Sequence, residues 1–118
     1  MFWKRKKPEI LQKPSVRFLG EQDGEPEREL KAALAAAFRE TSGPRRAYLA
    51  RVDYGDGGQA VALCLASPHD AELLRRAAAC FSRLFGTDTS LDILFLSEAD
   101  ERAVGSVCRS FYERAPVS

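Results

Sequence analysis

Two runs of alternating residues separated by a short glycine-rich stretch leave a chain little choice of local fold. Arg46 to Ala66 reads RAYLARVDYGDGGQAVALCLA, with Tyr54-Gly55-Asp56-Gly57-Gly58 at its middle. In the first run Tyr48, Ala50, Val52 and Tyr54 share one side, and Ala47, Leu49, Arg51 and Asp53 the other. In the second, Val61, Leu63 and Leu65 oppose Ala60, Ala62, Cys64 and Ala66. Successive side chains of a strand point to opposite faces, so the pattern predicts an antiparallel hairpin. Its turn should hold a residue at positive φ among Gly55, Asp56, Gly57 and Gly58. One side carries enough bulk for a core. The other, lined by small residues, lets a helix approach closely.

The flanking segments supply partners for this hairpin. Ser15 to Gly20 is short, apolar on one side and bounded by Pro14, which predicts a strand. Pro26 suits the first turn of a helix, and Leu30, Ala33, Leu34, Ala37 and Phe38 recur at helical spacing until Ser42-Gly43-Pro44 stops it. Glu27 and Lys31 are spaced to pair on its wet side. Ser67-Pro68-His69-Asp70 predicts a second helix, with the serine as cap, the proline first and Asp70 as the acid of a capping box. Leu73, Ala77, Cys80, Phe81 and Leu84 form its inner stripe, and Gly86 ends it. Leu91 to Leu96 reads as a buried strand. Ser97 caps a last helix whose stripe is Val104, Val107, Cys108 and Phe111.

Strand, helix, strand, strand, helix, strand is the β-α-β-β-α-β order of a ferredoxin-like fold. The expectation is therefore an α+β, two-layer sandwich: two helices on one side of a four-stranded antiparallel sheet. The added C-terminal helix covers a sheet edge or the open side. Leu34, Phe38, Val61, Leu63, Leu73, Phe81, Leu84, Ile93 and Phe95 should form one core. At 118 residues the chain suits one domain, expected over 15–118 behind a basic leader of residues 1–14.

The chemistry-bearing residues do not gather into a catalytic or metal motif. Cys64, Cys80 and Cys108 each sit in an apolar pattern, with no C-x-x-C spacing, and read as reduced structural thiols. His69 has no second histidine or paired cysteine nearby in sequence, so a surface or capping role is the simpler reading. Asp53 and Asp56 flank the glycine turn but lack the ligand pattern of a calcium loop. No phosphate loop, dinucleotide fingerprint or nucleophile elbow can be laid on the chain. A ferredoxin-like RNA-binding module stacks bases on strand aromatics, and Gln59 to Ala66 has none, which argues against sequence-specific nucleic-acid binding.

Three stretches resemble a known family, the C-terminal domain of the enhanced serine sensitivity protein SseB. Val16 to Leu34 is similar to that domain's opening strand, proline-bearing loop and first helix. Arg46-Ala47-Tyr48-Leu49-Ala50 is similar to its next strand, and Phe111-Tyr112 with Arg114 to its terminal Phe-Tyr signature. The likeness covers roughly residues 15–114. Ser110 stands where the family would place proline, and the basic leader stands where the family often has a second domain. The resemblance implies a stand-alone copy of that domain and brings no enzymatic activity, catalytic residue or cofactor with it.

The expected function is thus a non-catalytic accessory module that binds a protein partner, with homo-oligomerisation left open. Its docking surface would use Tyr48, Tyr54, Phe111, Tyr112 and Arg114. The alternative is a regulatory domain that binds an amino acid, an analogy from fold and family name alone. Residues 1–19 hold six cations against Glu9, over a body with an acidic excess. Trp3 with Lys4, Arg5, Lys6 and Lys7 offers a contact for an anionic membrane surface, though a solubilising tail is the simpler reading. The chain has no signal-peptide pattern or membrane-length apolar run, so a cytoplasmic location is expected.

Overall fold

The hairpin forms as its alternation demands. In the computed structural model, which describes residues 16–55, 58–88 and 91–114, the elements are β1 (Arg17–Glu21), α1 (Glu25–Arg39), β2 (Arg46–Asp53), β3 (Gln59–Leu65), α2 (Ala71–Phe85), β4 (Asp92–Phe95), α3 (Glu98–Gly105) and β5 (Tyr112–Glu113). β2 and β3 pair antiparallel from Ala47↔Leu65 to Asp53↔Gln59. Gly55 and Gly58 take φ of 76° and 80°. The Tyr54 N–H donates to the Gly58 carbonyl, and the Gly58 N–H to that of Gly55, each at 2.9 Å. Asp56 and Gly57 lie outside the described residues, as does the leader with Trp3, Lys4, Arg5, Lys6 and Lys7.

The fold is α+β, with a five-stranded mixed sheet and three helices among the described residues. Its order, β1-β2-β3-β4 with β5 added beside β2, corrects the antiparallel ferredoxin-like sheet that element order suggested. β1 lies antiparallel against β2, and β4 runs parallel to β3 with Leu63↔Ile93 and Leu65↔Phe95 in register. In a split βαβ arrangement another strand would separate β3 from β4. Here α2 crosses over and returns the chain directly beside β3, in the same direction. Alternation tells which side chains share a face. It is silent on which strand a helix returns to, and that is why the order was misread.

Both faces of the sheet are covered, making three layers where two were expected. Leu30, Leu34 and Phe38 of α1, with Leu73, Ala77 and Phe81 of α2, pack over Leu49, Leu63 and Leu65. On the other face Val104 and Cys108 sit against Tyr48, Ala50, Ala62 and Cys64. The alanines and the cysteine leave room for α3, which therefore takes the open side. Eight of the nine expected core residues lie in or against the first cluster, with Val61, Ile93 and Phe95 only half-buried there. Leu84 is the exception, 38% exposed in the last turn of α2, past Phe81, the helix's last buried residue.

Local chemistry moved two boundaries and one ion pair. Asp70, not Ser67, caps α2: its Oδ1 accepts from the N–H groups of Glu72 (3.0 Å) and Leu73 (3.2 Å). Ser67 donates instead to the Pro68 carbonyl, so Pro68 and His69 precede the helix. Ser97 caps α3 as expected, accepting from the Asp100 N–H at 3.1 Å. That helix ends at Gly105 and does not carry on through Phe111, which crosses to the α1–α2 cluster while Val107 is left 41% exposed. Lys31 reaches Glu21 and Asp23, each at 3.0 Å, in place of Glu27.

Candidate functional site

The outer edge of β2 is longer than β1 can cover, and the chain's closing segment completes it. β1 pairs only with residues 50–53. Beyond it the Leu49 carbonyl accepts the Gln22 N–H (2.9 Å) and the Cys108 thiol (3.5 Å). The Ala47 carbonyl takes the Phe111 N–H (2.9 Å), and that of Arg45 takes the Arg114 N–H (3.0 Å). An unpaired carbonyl in this setting would be costly, so the terminal Phe-Tyr segment is pinned by backbone need. Tyr112, 9% exposed, meets Phe38 edge-on at a ring-centroid distance of 5.4 Å. Its hydroxyl lies over Gly43, at φ 65°, where an added Cβ would stand 2.8 Å away. The turn after α1 and β5 are thus fitted to each other.

Between them opens a cleft of about 620 Å³, lined by Arg39, Thr41 and Ser42 from the end of α1 and by residues 111–114. Phe111 and Tyr112 give it an aromatic floor. Arg114 Nη1 makes long contacts, each at 3.4 Å, to the carbonyls of Ser42 and Gly43. Among the described residues neither Arg114 nor Arg39 has a carboxylate partner. The Glu113 carboxylate is turned to Arg46 Nε (3.3 Å) and the Ser110 hydroxyl (3.4 Å), so it does not neutralise them. Thr41 Oγ1 donates to the Phe38 carbonyl and accepts from the Gly43 N–H, closing the turn.

A second polar centre lies at Glu101, whose side chain is 13% exposed. It accepts from Arg45 Nη2 (2.6 Å), Arg46 Nη1 (2.9 Å) and the Tyr48 hydroxyl (3.2 Å). Burial pushes its pKa up, but the guanidiniums of Arg45 and Arg46 and the Tyr48 hydroxyl outweigh it and hold the carboxyl below the usual range. Tyr48 is pushed up to about 12, by burial first and then by the neighbouring Glu101 charge. This centre is self-neutralised and ties α3 to β2. A hollow of about 630 Å³ beside it is bounded by groups spent on one another, since Arg109 Nε reaches Glu21 at 3.2 Å and Arg46 reaches Glu101 and Glu113.

The five expected docking residues do not form one surface. Phe111, Tyr112 and Arg114 meet at the cleft, whereas Tyr48 is buried on the opposite face of the sheet. Tyr54, at the turn end of β2, donates to Asp92 Oδ2 at 2.8 Å. Arg39 was missed, because in sequence it is only the last polar residue of a helix. Glu101 was missed because its partners lie 53 to 56 residues away. The three cysteines are free and buried, with Cys108 pushed up to about 11 and Cys64 further, both by burial. His69 is exposed, its ring 4.9 Å from that of Phe95. Asp53 takes the Gly55 N–H at 2.9 Å and the Arg17 guanidinium at 3.0 Å. Among the described residues no cluster of three or more histidine, cysteine or acidic groups could hold a metal, and no helix is long and apolar enough to cross a membrane. Comparison with models of known families, with curated proteins and with solved structures found no match.

Proposed function

We propose that this chain is a non-catalytic docking module of the SseB C-terminal type, and that a protein partner binds at the Phe111–Arg114 cleft. The observation that carries this reading is the cleft's construction. An aromatic floor is fixed by backbone hydrogen bonds to the edge of β2, and two guanidiniums beside it lack carboxylate partners among the described residues. Aromatic and arginine side chains on a rigid support are the composition of interface anchors. The lining supplies no general base to Thr41 or Ser42, since the Glu113 carboxylate is held by Arg46. The buried free thiols suit a reducing, cytoplasmic setting.

Site-specific photo-crosslinking in living cells tests the reading. A benzophenone amino acid at Ser42, on the cleft wall, should give a discrete protein adduct, and the same group at exposed Arg83 on α2 should not. The rival reading, an amino-acid-binding regulatory domain, predicts no adduct and a raised melting temperature with one amino acid in a thermal-shift screen.

A further inference from the structure

The charge of the cleft narrows what its partner must look like. Arg45 and Arg46, next along the chain, are neutralised by Glu101 and Glu113 together. Arg39 and Arg114 are not neutralised by any described carboxylate, and Arg114 makes only long contacts, at 3.4 Å, to two carbonyl oxygens. The planar fork of a guanidinium matches a carboxylate through two parallel hydrogen bonds. The carbonyl end of α1 points a partial negative charge this way, and Arg39 in its last turn offsets it. Phe111 and Tyr112 line the same cleft as both cations and favour one large apolar side chain. A cleft of about 620 Å³ accommodates a few residues and is too small for a whole helix.

We propose that the cleft takes a short acidic peptide segment of the partner, with an aromatic or aliphatic side chain on Phe111 and Tyr112 and flanking carboxylates on Arg39 and Arg114. This rests on the reading of the cleft as a docking site, and one experiment separates the two. A phage-displayed library of random linear peptides is selected against the full-length chain. The expected enrichment pairs Asp or Glu with Phe, Trp or Leu. A synthetic copy of the enriched peptide, followed by fluorescence anisotropy, should bind on the order of tenfold more weakly to Arg39→Glu and to Arg114→Glu. It should also weaken with added salt and be indifferent to Arg83→Glu. Both reversals are at exposed side chains, and circular dichroism verifies their fold. Neutral or basic enriched peptides that Ser42→Trp displaces from the cleft would overturn the acidic partner and leave the docking reading standing. Peptides insensitive to Ser42→Trp and to both reversals, or no enrichment at all, would overturn both.

Discussion

Glu101 shows how far one side chain can commit an element to its place. Its carboxylate satisfies two guanidiniums and a phenol that would otherwise compete for water at the seam between α3 and β2. Glu101→Gln removes the charge from these bonds and should cost about 1–3 kcal/mol near neutral pH. The sign with pH follows from the lowered pKa. Folding favours the ionised form, so the stabilisation is complete above the ordinary glutamate value of about 4.3 and is lost as pH falls through the lowered one. Urea unfolding at pH 7 and pH 3 should therefore show wild type and Glu101→Gln converging in acid. An undiminished gap at pH 3 would mean that packing, not charge, holds the seam. Tyr48 offers an independent check at high pH. In a spectrophotometric titration, Tyr48→Phe should remove one ionisation near 12. Loss of a step near 10 instead would mean that the phenol is not shielded as described.

Capping and turn chemistry decide where the elements begin and end, and here sequence reading had mixed success. Asp70→Ala should cost about 1 kcal/mol, the usual loss for an N-cap, while Ser67→Ala should be nearly silent. Equal costs in thermal unfolding would restore Ser67 as the cap. Gly43→Ala should be more damaging, because the site combines φ of 65° with a Cβ position 2.8 Å from the Tyr112 hydroxyl and 3.1 Å from the Phe38 carbonyl. The expected loss is about 1–3 kcal/mol, with a weakened Phe38–Tyr112 contact. A neutral Gly43→Ala would show that the turn and β5 are not fitted to each other. The hairpin, the α1 stripe and the Ser97 cap were legible because each is written in neighbours a few residues apart. The parallel return of β4, β5 itself and the Arg45–Glu101 pairing were not, since each depends on residues brought together from afar. Phe111, Tyr112 and Arg114 stood out only through the family resemblance, and Arg39 lies outside the stretches that carry it.

Across the whole molecule the sheet acts as a partition between two cores that share a backbone but few side chains. Leu34, Phe38, Leu63 and Phe81 lie on one side, and Ala50, Ala62, Cys64 and Val104 on the other. Side chains at alternate positions of β2 and β3 enter different cores, so strain from a cavity on one face must cross the hydrogen-bonded ladder to reach the other. Close packing transmits strain among touching side chains far better than across such a ladder. Leu34→Ala should cost about 2–5 kcal/mol, and Val104→Ala somewhat less for its smaller volume. Combined, they should add to within about 0.5 kcal/mol, the behaviour of sites without shared partners. Phe38 and Tyr112 are the contrasting pair, because their rings touch at 5.4 Å within one core. Once either is cut to alanine, the second truncation should cost less than it does alone, by roughly 0.5–1.5 kcal/mol, the worth of an aromatic pair beyond its buried area. Denaturant unfolding of the two double-mutant cycles checks both statements. Strong coupling between Leu34 and Val104 would mean that the sheet transmits strain between its faces. Perfect additivity of Phe38 and Tyr112 would mean that β5, and with it the floor of the cleft, is not fastened to the core through that contact.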